Sequence, residues 1–231
     1  YRHQRIAHCS METRGVVVTS QGDNELTVYI SSQGPQVIAR YLALAFNVPE
    51  ARIRVISKDV GGAFGLKSQP WREEMAVIAA GMLLRRPIKW IEDRFENLTS
   101  ANQAREQECT LRVAFDRDGK ILAAHTDYAI NNGAYPHYPD ANMAAMLFLW
   151  ASYKVPKLGF SSRGYYTNTP GLAAYRGPWA FESLARETIM DIAARQLGMD
   201  AIELRRKNLI TAADQPHPTM LGINLDDVTP S

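Results

Sequence analysis

Cysteine is scarce in this chain of 231 residues, which contains only Cys9 and Cys109. The two lie far apart, with no C-x-x-C spacing and no histidine at a ligand interval from either one. Their positions argue against a structural zinc site and against a protein-ligated iron–sulfur cluster. The low cysteine content favours a reducing compartment, and we predict a cytoplasmic location.

Long apolar runs and clusters of basic residues are also missing. The longest mostly apolar stretch, residues 143–153, is far shorter than the about 20 residues that a membrane span needs. Lysine and arginine form no run of the kind that a nucleic-acid-binding surface needs, and the net charge is only +2. We therefore predict a protein with no membrane span and no nucleic-acid partner.

The size and composition are those of an ordinary globular protein. Apolar residues make up 46% of the chain and charged residues 22%, so its 231 residues can bury a core as one large domain or two small ones. The chain begins with Tyr1 rather than with an initiator methionine or a signal peptide. We therefore expect it to be a piece of a longer protein.

Alternating and β-branched patterns predict two β-hairpins and several single strands. One hairpin pairs residues 16–19 with 26–30 across a turn at 22–24, and the other pairs 106–115 with 121–130. Further extended segments are expected at residues 53–56, 87–91 and 155–167.

Apolar residues at helical spacing predict the helices that pack against these strands. The helices are expected to start at Pro35, Arg72 and Asp200, and to cover residues 141–152 and 181–192. In the helix from Arg72, the predicted apolar face includes Leu83.

The order of these elements predicts the fold class. Strands and helices alternate without a regular βαβ rhythm, which favours an α+β fold with a mixed sheet, β-hairpins and packed helices. We assign one domain to residues 1–210, and we expect the polar, proline-containing segment 211–231 to fray. The loop at residues 131–142 mixes aromatics, prolines and asparagines, which suits either a ligand-facing surface or a solvated connector.

A glycine-rich loop lies between the strand at 53–56 and the helix from Arg72. Gly61, Gly62 and Gly65 place backbone without a Cβ next to something that must come close, and such a loop can offer N–H groups to an anion. The alternative is a tight turn that only reverses the chain. A Walker loop is disfavoured because Leu66 separates Gly65 from Lys67, and the spacing of a dinucleotide-binding loop is not met either.

Two further features are candidates for the same site. The segment Ala174-Tyr175-Arg176-Gly177-Pro178 places a fixed positive charge beside a glycine. Gln33 lies at a strand-to-helix junction, where a side chain can project into a cleft or can serve only as a cap or surface group.

Several motifs, taken in order, resemble the first molybdenum-cofactor-binding region of the molybdenum hydroxylase large subunits. This superfamily contains xanthine dehydrogenase, aldehyde oxidase and aerobic carbon monoxide dehydrogenase. The motifs that carry the resemblance are Met11-Glu12-Thr13-Arg14-Gly15, Ser32-Gln33, the loop from Gly61 to Lys67, Tyr153-Lys154-Val155-Pro156, Asn168-Thr169 and Ala174-Tyr175-Arg176-Gly177.

The resemblance implies a role for each candidate residue. Gln33 would approach the apical oxygen of molybdenum or the nearby pterin, and Phe64 and Gly65, in the loop with Gly61 and Gly62, would contact the metal's ligands and the pterin. Arg176 would bind near the metal and the polar groups of the cofactor, with Gly177 letting the chain pass closely. An anionic cofactor suits arginine and backbone N–H donors. Molybdenum itself would be held by the pterin dithiolene, so no protein metal ligand is expected.

The resemblance also implies an activity that needs more than this chain. The family hydroxylates a carbon of its substrate with water-derived oxygen and passes the electrons through iron–sulfur clusters to flavin. It would do so here with a molybdopterin cofactor in its cytosine dinucleotide form, and with iron–sulfur and FAD subunits as partners. The base glutamate of the family lies in the second half of the large subunit, so we expect no catalytic residue in this chain and no turnover by it alone.

Four positions depart from the substrate-specific patterns of the family. Ser68 and Ala144 stand where the xanthine-type enzymes carry a substrate-binding Glu and Arg, and Pro178 stands where they carry an aromatic residue. Gly177 takes the place of the cysteine of the carbon monoxide enzymes. Purine and carbon monoxide are therefore disfavoured as substrates, which leaves an aldehyde or an N-heterocycle.

Two other functions stay open. The chain could be a scaffold or binding module of the same fold that holds no metal, although the presence of Gln33, Phe64, Gly65 and Arg176 together argues against this. A nucleotide-phosphate-binding domain is disfavoured by the position of Lys67.

Overall fold

The computed structural model describes residues 1–21, 25–135, 141–219, 222 and 224–225. It confirms the predicted α+β class, but with two four-stranded sheets instead of one. Each of these sheets is mixed, because each contains one parallel pair of strands beside antiparallel ones.

The chain divides into two compact units. We call Ile6–Ala104 together with Pro170–Arg176 the loop unit. We call Tyr1–Arg5, Arg105–Thr169 and Gly177–Ser231 the hairpin unit.

The loop unit contains one four-stranded sheet with three helices. Its strand order is β4-β3-β2-β5, with β3 and β4 parallel and the other pairs antiparallel. In chain order its elements are β2 (Gly15–Gln21), β3 (Glu25–Ile30), α1 (Pro35–Phe46), β4 (Ile53–Ile56), α2 (Arg72–Leu84), β5 (Ile88–Ile91) and α3 (Arg94–Ser100). The strand that precedes them in the chain, β1 (Arg2–Ile6), belongs to the sheet of the hairpin unit.

The core of the loop unit follows from side-chain alternation on the sheet and helical spacing on α1. In β3, Leu26, Val28 and Ile30 are buried while the residues between them are more exposed, and they pack with Ile38 and Leu42 of α1. Helix α2 comes so close to the sheet that a Cβ built at Gly81 would lie 2.4 Å from Val18 Cγ1. Only glycine allows this packing.

The hairpin unit is built on the long hairpin and three helices. Its sheet has the order β1-β6-β7-β8, in which β6 and β7 are antiparallel and β7 and β8 are parallel. In chain order its elements are β6 (Ala104–Phe115), β7 (Ile121–Asn131), α4 (Ala141–Leu149), β8 (Leu158–Tyr165), α5 (Ala180–Leu197), α6 (Ala201–Asn208), β9 (His217–Pro218) and β10 (Asn224–Leu225).

Most of the elements predicted from the sequence are confirmed. Both hairpins form, helices begin at Pro35 and Arg72, and the Asp200 side chain accepts hydrogen bonds from two backbone N–H groups at the start of α6. The predicted place of Leu83 on an apolar face is wrong, because 83% of the residue is exposed near the end of α2.

Helix α3 was not expected, although its start carries a readable signal. Asp93 accepts a hydrogen bond from the N–H of Glu96, and the Glu96 side chain accepts one from the N–H of Asp93. This capping box marks a helix start even where no apolar periodicity follows.

Some predictions fall on residues outside the described ranges. These are the turn at 22–24, part of the loop 131–142 and part of the segment 211–231. The domain boundary at residue 210 likewise stays a prediction. Within the described ranges, no helix is long and apolar enough to cross a membrane.

A buried ionic cluster holds β2 against β5 and α2. The Arg14 guanidinium donates to Glu92 Oε1 from Nε at 3.0 Å and to Glu73 Oε2 from Nη1 at 2.9 Å. Asn97 donates to the second oxygen of Glu92 at 2.7 Å, so both buried charges have several partners. Arg14 is only 1% exposed and Glu92 1%.

Glu74 lies at the start of α2 near this cluster and is 2% exposed. Burial raises its pKa to about 7, against the opposing attraction of the Arg14 guanidinium and a hydrogen bond from the Trp71 N–H. The folded protein thus keeps a proton on Glu74 that the unfolded chain releases between its ordinary pKa of 4.5 and about 7. Stability therefore falls as the pH rises through this window.

We expect Glu74→Gln to increase the free energy of unfolding above pH 7 by about 1–3 kcal/mol, because it removes the cost of ionising a buried carboxyl. Urea unfolding at pH 5 and pH 8 checks this. The exposed residue Glu50 provides a matched control as Glu50→Gln. A pH dependence of stability that is the same in Glu74→Gln and wild type would contradict the role assigned to Glu74.

Candidate functional site

The glycine loop has an unusual backbone path. The φ angles of Gly62, Phe64 and Gly65 are 100°, 54° and 108°, so three of four successive residues lie in the left-handed half of φ space. Glycine adopts such angles freely, whereas Phe64 does so at a cost. A strained non-glycine residue at an exposed loop position is a reason to look for function there.

The glycines are required by close neighbours within the chain itself. A Cβ at Gly65 would lie 2.2 Å from the Ala174 carbonyl oxygen, and a Cβ at Gly61 would lie 2.5 Å from Glu12 Cβ. The sequence correctly indicated that something must approach this backbone closely. In the structure, the approaching groups are Ala174 and Glu12.

Four of the residues singled out from the sequence form one continuous cluster in the loop unit. The N–H of Gly65 donates to Gln33 Oε1 at 3.0 Å, and the N–H of Arg176 donates to the Phe64 carbonyl oxygen at 2.7 Å. The Arg176 guanidinium carbon lies 5.2 Å from the centre of the Phe64 ring, which is a cation–π distance. Residues 33, 64–65 and 176 are therefore fixed together despite their separation in the sequence.

The surface of this cluster is rich in hydrogen-bond donors. The backbone N–H groups of Gly62, Ala63 and Phe64 donate to no acceptor in the part of the chain that the structure describes. Gln33 uses its Oε1 as an acceptor from Gly65, so its Nε2 group is the end left to donate outward. Gln33, Phe64 and Arg176 are all exposed. The arrangement suits an anionic or oxygen-rich ligand.

An ion pair missed by the sequence reasoning anchors both ends of the glycine loop. Lys67 is 2% exposed, and its ammonium group donates to Glu12 Oε2 at 2.8 Å, to the Glu12 carbonyl at 3.0 Å and to Ser31 Oγ at 2.8 Å. The Gly61 N–H donates to the same Glu12 carboxylate at 2.8 Å. All three ammonium protons of Lys67 are thereby used within the protein.

The pKa of the Glu12 carboxyl is consistent with its ion pair with Lys67. Burial acts to raise the pKa of its carboxyl, but hydrogen bonds from Lys67, Ser31 and the Gly61 N–H outweigh burial and lower the pKa below its ordinary value. Glu12 is thus held as a carboxylate. Its presence in the Met-Glu-Thr-Arg-Gly motif was the available signal, but the sequence did not reveal its partner.

His8 supports the second segment of the site. It is buried, its Nε2 donates to the Ala174 carbonyl oxygen at 2.6 Å, and its ring lies 5.3 Å from the ring of Tyr175. His8 holds residues 174 and 175 in place through its own side chain.

Gly177 lies in the hairpin unit, directly after Arg176 in the chain. Its φ is 63°, and among the described residues a Cβ built on it would meet only Ala180 Cβ, at 3.8 Å. Its backbone angle and not crowding within this chain therefore calls for glycine.

A model of the molybdopterin cofactor-binding domain family matches residues 1–209 of the chain. The chain belongs to this family. The predicted resemblance to molybdenum hydroxylase large subunits is thereby confirmed at the level of the family.

The sequence and structural relatives have different substrates in their names. The carbon monoxide dehydrogenase large chain of Hydrogenophaga pseudoflava is 34% identical over 97% of this chain and 29% of its own length. An indole-3-acetaldehyde oxidase of Zea mays is 32% identical over 86% of this chain and 15% of its own length. Quinoline 2-oxidoreductase from Pseudomonas putida 86 superposes with a TM-score of 0.84 at 35% identity, over 97% of this chain and 30% of its own.

The chain thus spans less than a third of the length of each of these relatives. The residues present fit a molybdopterin-type cofactor, since the cluster offers three successive N–H groups, an amide and a guanidinium to an anionic ligand. Among the described residues, no group of three or more His, Cys, Asp or Glu side chains could hold a metal ion.

We expect Gly65→Ala to lower the free energy of unfolding by more than about 2 kcal/mol, because the added Cβ forces Ala174 away and the backbone angle becomes strained. Gly198→Ala is the matched control. Gly198 also has a positive φ, of 65°, but a Cβ there meets no described atom within 4 Å. It should therefore cost only about 1 kcal/mol. Denaturant unfolding of both variants checks this, and equal losses would show that Ala174 can yield to the Cβ.

Proposed function

We propose that this chain is the first molybdenum-cofactor-binding part of a hydroxylase large subunit. The complete enzyme would hydroxylate a carbon of an aldehyde or an N-heterocycle with water-derived oxygen, and pass electrons to iron–sulfur clusters and flavin. The observation that carries the proposal is the convergence of Gln33, Phe64, Gly65 and Arg176 on one donor-rich surface. The donors on this surface suit an electron-rich ligand.

Each part of the surface has a distinct task in this proposal. Four donors would hydrogen-bond the oxygen atoms of the molybdenum centre and the pterin. They are the Gln33 amide and the backbone N–H groups of Gly62, Ala63 and Phe64. Gly61 and Gly65 let the loop pack against Glu12 and Ala174, so these donors keep a fixed position. When bound, the molybdenum centre supplies the oxygen transfer and accepts the electrons.

Arg176 would supply the fixed positive charge. Its backbone N–H is bound to Phe64, and its guanidinium lies over the Phe64 ring, so the charge is held beside the glycine loop. A guanidinium held in place in this way stabilises negative charge on a ligand without reorganising. Gly177 would let the chain turn directly after Arg176.

The substrate class follows from four positions of this chain. Gly177 cannot provide the thiol of the carbon monoxide enzymes, although some relatives carry that name. Ser68, Ala144 and Pro178 cannot provide the charged and aromatic groups that orient purines. The names of the quinoline and indole-3-acetaldehyde enzymes agree with a heterocycle or an aldehyde as the remaining classes.

The rest of the machinery would come from outside this chain. We place the catalytic base glutamate in the remaining half of the large subunit, and the iron–sulfur clusters and FAD on partner subunits. Relatives named as a large chain or a large subunit support a complex of this kind. The cytosine dinucleotide form of the cofactor and a cytoplasmic location are part of the same proposal.

We expect Arg176→Ala in the full-length subunit to lower the molybdenum content of the purified enzyme at least about fivefold, since an arginine–anion contact is worth about 1.5–3 kcal/mol. Molybdenum per polypeptide, measured by elemental analysis, checks this. Arg40→Ala, at an exposed arginine of α1, is the matched control and should leave the content unchanged. Unchanged molybdenum content in Arg176→Ala would remove Arg176 from the cofactor site.

A further inference from the structure

A buried arginine holds the turn that follows Arg176. Arg105 is 6% exposed, and its guanidinium donates from Nη1 to the Pro178 carbonyl oxygen at 2.5 Å and from Nη2 to the Gly177 carbonyl oxygen at 2.8 Å. These residues all lie in the hairpin unit. One side chain therefore binds two successive backbone carbonyls.

The same turn is closed by its own backbone. The N–H of Ala180, the first residue of α5, donates to the Gly177 carbonyl oxygen at 2.9 Å. The Gly177 oxygen thus accepts two hydrogen bonds, one from Ala180 and one from Arg105. The rigid, planar fork of a guanidinium presents two N–H donors at a fixed spacing, which suits two adjacent carbonyls better than the ammonium of lysine does.

The backbone at Arg105 is strained. Arg105 has a φ of 69° and Glu106 a φ of 61°, so two successive non-glycine residues lie in the left-handed region at the start of β6. Such angles persist only where the surrounding contacts fix them, and they are concentrated at functional sites. Here the contacts are those of Arg105 with the turn, and a 2.6 Å ion pair between Glu106 and Arg5.

We propose that Arg105 is a positioning residue for the cofactor site. By fixing the carbonyls of Gly177 and Pro178, it restrains the chain one peptide bond after Arg176 and limits the directions that the Arg176 backbone can take. It does not touch the cofactor itself. This inference rests on the proposed function of Arg176, but its own test includes a readout that does not depend on the cofactor.

The test uses the full-length protein with its partners, in the variants Arg105→Gln and Arg105→Lys. Arg112→Gln is the matched control, because Arg112 lies on the same strand but is largely exposed and pairs with Asp127 at the surface. Hydrogen exchange at Ala180 and Phe181, molybdenum content, and the electron paramagnetic resonance spectrum of the Mo(V) state are measured for each variant.

In Arg105→Gln we expect the Ala180 amide to exchange at least about tenfold faster, since two hydrogen bonds that hold its turn are lost. We also expect a lower molybdenum content and a shifted Mo(V) spectrum. Arg105→Lys should recover part of each effect, because it keeps the charge and can reach one carbonyl. Arg112→Gln should match wild type in all three.

Two results would overturn the inference. One is exchange at Ala180 in Arg105→Lys that is as slow as in wild type, which also decides the matter if Arg105→Gln fails to fold. The other is faster exchange with an unchanged spectrum and molybdenum content, which would make Arg105 a merely structural residue. Either result leaves the proposed function intact if Arg176→Ala still loses molybdenum. If the proposed function itself were wrong, the Arg176→Ala variant would keep its molybdenum content unchanged.

Discussion

The passage of the glycine loop against residues 174–176 is the contact on which the candidate site depends. Gly65 faces the Ala174 carbonyl so closely that a Cβ would overlap it, and the next segment is fixed by the hydrogen bond from Arg176 to Phe64. His8 holds Ala174 from another direction. Two parts of the chain more than a hundred positions apart therefore present one surface.

The charged residues Glu12, Lys67, Arg14 and Glu92, which we call the frame residues, hold the site together. They are not the groups that we propose face the cofactor. Glu12 and Lys67 fasten the two ends of the glycine loop, while Arg14 and Glu92, which flank β2 and β5, join these two strands. The Arg14–Glu92 pair is fully buried, so it is costly to break because one partner would be left unpaired. The frame residues thus keep the loop in place, and they leave the N–H groups of residues 62–64, the Gln33 amide and the Arg176 guanidinium to meet a ligand.

Much of the fold and most residues of the candidate site could be predicted from the sequence. The contacts that make some of these residues necessary could not. Alternation in residues 106–115 and the helical spacing from Pro35 report local geometry, and both were confirmed. Gly65 was singled out because its backbone must approach something, yet only the structure identifies Ala174 as that neighbour. Arg105 gave no local signal, because its role depends on carbonyls about seventy positions later and on its backbone angle, neither of which any short motif encodes.

The measurement that tests the central claim most directly is an anomalous difference map, recorded at the molybdenum edge, from crystals of the full-length protein with its partners. Our account predicts one molybdenum peak beside the loop of residues 61–67, within contact distance of the Phe64 and Gly65 backbone and close to the Arg176 guanidinium. A molybdenum peak remote from this loop, in a protein shown by elemental analysis to be loaded, would contradict the account.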